Sequence, residues 1–114
     1  MSKPAKPAPA RPAADPAQAA LRRFSDLIAR GFDAARLQRE AAAVISDWAG
    51  ELQADSMRER LDSVHDQLAE GVDAAQDMGC EIEPGDAASA KLHQRSIGAL
   101  IAARDAFGQA ARRL

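Results

Sequence analysis

The feature that most constrains this chain is what it lacks. Its 114 residues include no Thr, no Asn and no Tyr, and the β-branched residues come to three Val and five Ile. Strands draw on β-branched and aromatic side chains, and tight hairpins draw on Asn-Gly-type turns. A sheet protein is therefore excluded in practice. Alanine, the strongest helix former, is the commonest residue. Leu, Ile, Val and Phe together number 20, so Ala must fill much of any core. The expected fold is all-α: one small bundle of three to four amphipathic helices over residues 15–114, behind a disordered Pro/Ala-rich tail over residues 1–14.

The tail reading follows from Pro4, Pro7, Pro9, Pro12 and Pro16. Proline has no amide donor and turns its predecessor away from helix, so this segment reads as extended and polyproline-II-like. It holds nothing large enough to offset its ordering entropy. Lys3, Lys6 and Arg11 make it mildly basic. Three charges suit a solubilising spacer better than an electrostatic arm. No apolar run follows Lys3 and Lys6, so no secretory signal is read, and no stretch nears the length of a membrane span. A cytoplasmic protein is the expectation. Twelve Arg against three Lys, with abundant Ala, suggests a GC-rich bacterial coding sequence.

Charge is segregated along the chain. The formal net charge is −2, yet residues 1–45 and 91–114 are net basic, whereas residues 46–90 hold twelve carboxylates against Arg58 and Arg60. Such a pattern serves internal complementarity, with terminal helices beside an acidic middle. It also serves a basic face offered to nucleic acid.

Four helical stretches can be read. Asp15-Pro16-Ala17-Gln18 opens the first, with Asp15 as N-cap, Pro16 at N1 and Gln18 placed to reach back to the cap. Ala17, Ala20, Leu21, Phe24, Leu27 and Ile28 share its apolar face, and Gly31 stops it. The second starts after Asp33, with a stripe of Leu37, Ala41, Val44, Ile45, Trp48 and Leu52; Gly50 inside it costs about 1 kcal/mol relative to Ala. The third stripe, Met57, Leu61, Val64, Leu68, Val72, Ala75 and Met78, lies about 200° round the helical wheel from the second. Either the chain turns near residues 53–56, where Ser56-x-x-Glu59 fits a capping box, or one long helix is apolar on two faces. Gly79 and Glu83-Pro84-Gly85 break the chain again. Asp86 caps the fourth helix, whose stripe reads Ala90, His93, Ile97, Leu100, Ile101, Arg104, Phe107, Ala111 and Leu114. Phe24, Trp48, Leu61, Leu68 and Leu100 are the expected core.

No residue set points to catalysis. There is no phosphate-binding loop, no dinucleotide fingerprint, no His-Glu-x-x-His, no Cys-x-x-Cys and no EF-hand loop. Asp62-x-x-His65 resembles half of a di-metal helix motif, but Asp62 falls off the apolar stripe. Cys80 is the single Cys, among Asp77, Glu81 and Glu83, which disfavour its thiolate. The expectation is a protein without enzymatic activity, cofactor or metal. Its expected role is a helical protein–protein interaction module, an adaptor, assembly factor or small regulator, that presents amphipathic helix faces. His93, Arg104 and Phe107 are candidate docking residues, because His and Arg interrupt an apolar stripe. Arg104 would otherwise pair with a carboxylate of the acidic middle. The alternative is a nucleic-acid-binding accessory protein using Lys3, Lys6, Arg11, Arg22 and Arg23. A thin core and the face reversal also lead to an expected homodimer. No membrane partner is expected.

Overall fold

The computed structural model describes residues 15–114, so the tail reading of residues 1–14 lies outside it. Among the described residues four helices follow one another: α1 (Pro16–Ala29), α2 (Ala34–Ala49), α3 (Ala54–Met78) and α4 (Ala87–Arg112), with a 3-10 turn at Gly79–Glu81. No strand occurs among the described residues, and the helices form a bundle.

The helix ends obey local chemistry. Asp15 Oδ1 accepts from the amides of Ala17 at 3.0 Å and Gln18 at 3.5 Å, with Pro16 at N1. Gln18 does not complete a capping box. Its side-chain amide donates instead to Gln67 Oε1 on α3, at 3.1 Å. At the far end the amide of Gly31 donates to Ile28 O and that of Phe32 to Leu27 O. This is a Schellman closure, and it requires the positive φ of 89° that Gly31 adopts. Asp33 caps α2 through the amide of Arg36. Asp86 caps α4 through the amide of Ser89, and the Ser89 hydroxyl donates to its other carboxylate oxygen at 2.7 Å. The Asp86 amide donates to Glu83 O, closing the turn that holds Pro84 and Gly85.

The face reversal resolves as a turn, earlier than Ser56 implies. The amides of Glu51 and Leu52 both donate to Trp48 O, so α2 ends at Ala49 with Gly50 as its C-cap. Gly50 is thus the breaker and not an interior residue. α3 is capped at Gln53 without a side-chain bond. Ser56 and Glu59 lie inside it, because the Met57 amide already donates to Gln53 O at 2.9 Å. Starting at residue 54 adds a turn to the helix and places Asp55 near its positive end.

Contacts fix the directions. Arg23 meets Glu40, so α1 and α2 form an antiparallel hairpin with the packing of Ala20 beside Val44 and Trp48. His65 meets Gly108, Leu100 approaches Gly71, and His93 meets Gly79, contacts that step in opposite directions along α3 and α4. Gln38 and Ala42 lie beside Ala106, while Ala49 lies beside Leu114. Hence α2 runs parallel to α4, and the helices alternate up and down along the chain. α4 is the central element, packed most extensively against α3 and α2.

The core contains no buried polar residue among those described. Its centre is Phe107, fully buried, with Phe24 at 5.7 Å edge-on and Trp48 at 5.9 Å between ring centroids. These three rings tie α4 to α1 and α2. Phe24, Trp48, Leu61 and Leu68 are buried as expected, but Leu100 is only partly so. The buried line of α4 is Ala99, Ala103 and Phe107. Ala99 and Ala103 take two of the three innermost positions because small side chains let neighbouring helices come close. The larger Ile97, Leu100 and Ile101 are left at the flanks, half exposed.

Candidate functional site

Among several shallow depressions on the described surface, two adjoin along α2 and α4 and together form a trough. It begins between α2 and α4, where Gln38, Ala42 and Ser46 face Ala106 and Gln109 across a space of about 350 Å³. Ile45, Ala110 and Arg113 are shared with a second space of about 360 Å³ at the α2–α3 turn. There Ala49, Leu52 and Ala54 lie on one side, Leu114 on the other, and Met57 and Leu61 on the floor. Parallel α2 and α4 approach through alanines, so the trough is shallow and open. Ala49, Ala54 and Leu114 are exposed, Ile45 and Leu52 half-buried.

Arg113 is the charged residue that lines both spaces, and it is exposed and outside the ion pairs found among the described residues. Arg112 lies on another side of α4, with Nη1 3.9 Å from where a Gly108 Cβ would stand, beside His65. Arg60 is engaged elsewhere, its guanidinium carbon 5.0 Å from the Trp48 ring centroid.

The residues singled out from sequence fall in different places. Phe107 is not a docking residue: it is the core's fully buried centre. Arg104 does not reach the acidic middle of the chain. It pairs with its neighbour Asp105 at 3.0 Å. His93 is half-buried, with Nε2 enclosed against Gly79 and without a hydrogen-bond partner among the described residues. The three therefore form no common face. Of the basic candidates, Lys3, Lys6 and Arg11 lie outside the described residues. Arg22 is exposed, while Arg23 is held by Glu40 at 2.7 Å. Glu40 also takes Arg36 at 3.2 Å, and the Arg23 hydrogen bond, reinforced by both guanidinium charges, holds its carboxyl below the usual range. Asp86 is likewise lowered, by the hydrogen bonds from Ser89.

No group of three metal-capable side chains occurs among the described residues. His65 contacts the adjacent Asp66 at 3.1 Å and not Asp62. Cys80 is exposed. No described helix is long and apolar enough to cross a membrane. Comparison of the chain with family models, characterised proteins and solved structures gave no match.

Sequence reasoning assigned Ile45 and Leu52 to a buried stripe and so missed the trough. The available signal was Gly50. Ending α2 there leaves Leu52 on a turn, where no helix covers it fully. The helix-embedded Gly108 and the terminal Gly79 were a second signal, each lying opposite one of the two histidines.

Proposed function

We propose that this protein is a non-catalytic helical interaction module that binds a protein partner through the trough along α2, the α2–α3 turn and the end of α4. One observation carries the reading. A bundle with a fully apolar core leaves Ile45, Ala49, Leu52 and Leu114 together at its surface, with Arg113 at their edge. Contiguous exposed apolar surface with a polar rim is what protein interfaces use.

The test is capture from an extract of the native host, with wild type compared to Ala49→Glu. Ala49 is exposed, so the substitution leaves the core untouched, and unchanged helical circular dichroism verifies it. A partner, whether another polypeptide or the chain itself, bound by wild type and lost in the variant is the expected result. Identical recoveries from the two baits reject the trough as the binding surface.

A further inference from the structure

We infer that α1 is a detachable cover. It opens as a unit about the link at Gly31 while α2, α3 and α4 stay packed, and the groove beneath it accepts an amphipathic helix of the same pattern from outside. α3 and α2 pack extensively on α4, whereas α1 touches each of its three neighbours lightly. A depression borders it against each of them. Ser25 and Ile28 face Leu92 and Ser96 of α4 across about 320 Å³. Ala19 and Arg23 face Val44 and Asp47 of α2 across about 330 Å³. Ala17 faces Ser56 and Ser63 of α3 across about 310 Å³. These depressions share no lining residue with the trough. Two side-chain links join α1 to other helices among the described residues, Gln18 to Gln67 and Arg23 to Glu40, and both are exposed. Elements with few buried contacts and exposed polar links open at lower cost than the rest of a fold.

Local chemistry makes the unit separable. Both ends of α1 are closed from within residues 15–32: Asp15 Oδ1 accepts from the amides of Ala17 and Gln18, and the amides of Gly31 and Phe32 donate to Ile28 O and Leu27 O. No cap is lost when the helix swings away. What it gives up is the seat of Ala17, Ala20, Phe24 and Leu27, spaced three, four and three residues apart. Phe24 is its aromatic anchor, against Phe107, while Ala20 lies beside Trp48. A helix that fits in its place carries two small residues about one turn apart, then an aromatic and an aliphatic residue at the same spacing. A cation beside the aromatic reaches Glu40, as Arg23 does.

Native-state hydrogen exchange and a fluorescent peptide of residues 15–33 test the cover on the full chain. The α1 amides should exchange together, at least about ten-fold faster than the most protected amides of α4. The double variant Gln18→Ala/Arg23→Ala leaves the core intact and should speed exchange in α1 alone. The peptide should bind full-chain Phe24→Ala at least about ten-fold more tightly than wild type, whose own α1 competes at the high effective concentration set by a short link. Should Phe24→Ala lose its helical circular dichroism, the double variant serves as the host. A peptide carrying Phe24→Ala should not bind, and adding Ala49→Glu to the host should leave binding unchanged. α1 amides as protected as those of α4 overturn the cover, as does a double variant that speeds exchange in every helix alike. Binding indifferent to Phe24 in the peptide, no binding to either host, or binding lost on Ala49→Glu overturns the groove. None of these readouts involves capture from a host extract, so the cover and the trough can each fail without the other.

Discussion

The imidazole of His93 rests on the backbone of Gly79: a Cβ at residue 79 would lie 2.9 Å from Nε2 and 3.3 Å from Cδ2. His65 makes the matching contact at the other end of the α3–α4 pair, with its Cδ2 3.1 Å from where a Gly108 Cβ would stand. Each long helix thus lends the other one histidine and receives it on a glycine. The α3–α4 register is pinned at two points about four helical turns apart.

Gly79→Ala should therefore destabilise the protein, although its φ of −60° suits any residue. The overpacking cost is about 1–3 kcal/mol. Removing the imidazole should relieve it. In a denaturation double-mutant cycle, Gly79→Ala should cost clearly less in a His93→Ala background. Equal costs in the two backgrounds would show that the ring moves aside freely.

Gly98 provides the contrast. It lies inside α4, and a Cβ there would meet nothing within 4 Å. Gly98→Ala should raise stability by about 0.5–1 kcal/mol through helix propensity and a less flexible unfolded chain. A fall in the urea midpoint would reveal a neighbour pressing on that face.

Phe107 is the next test, because a docking residue and a core centre respond differently. Phe107→Ala should cost about 3–5 kcal/mol by opening a cavity between Phe24 and Trp48. The change should also alter the Trp48 fluorescence of the native state. A variant with wild-type stability would place the ring outside the core.

The Glu40 site gives a pH dependence of definite sign. Its folded-state pKa lies below the ordinary value of 4.5 because Arg23 and Arg36 favour the carboxylate. The stabilisation is therefore fully present above the unfolded-state pKa and is lost as pH falls through the lower folded-state value. Arg23 is largely exposed, so the effect is modest. Glu40→Gln should cost about 0.5–1 kcal/mol at neutral pH, as for exposed pairs. The difference from wild type should shrink toward zero as both are acidified. A difference that stays constant with pH would mean the carboxylate charge contributes nothing.

The sequence by itself determined the all-helical class, since a chain rich in Ala and without Thr, Asn or Tyr is poor in the residues that favour strands and tight hairpins. It also determined the helix ends that rest on local chemistry. Asp15, Asp33 and Asp86 cap from within a few residues, and Gly31 supplies a conformation its neighbours cannot adopt. The burial of Phe24, Trp48, Leu61 and Leu68 was legible too, because periodicity alone puts them on one side of a helix.

Tertiary structure decided the rest. Gly50 ends α2 and Gln53 begins α3 because the two stripes must face one core, a requirement no local capping rule contains. Ala99 and Ala103 displace Leu100 from the innermost line because the separation of helices, and not hydrophobicity, selects side chains where α4 meets both neighbours. Arg104 turns to Asp105, and His93 settles on Gly79, because the partners within reach are fixed only once the helices are packed. The trough at Ile45 and Leu52 exists for the same reason. Apolar periodicity tells which side chains lie on one face of a helix, but only the placing of its neighbours decides which of them remain in contact with water.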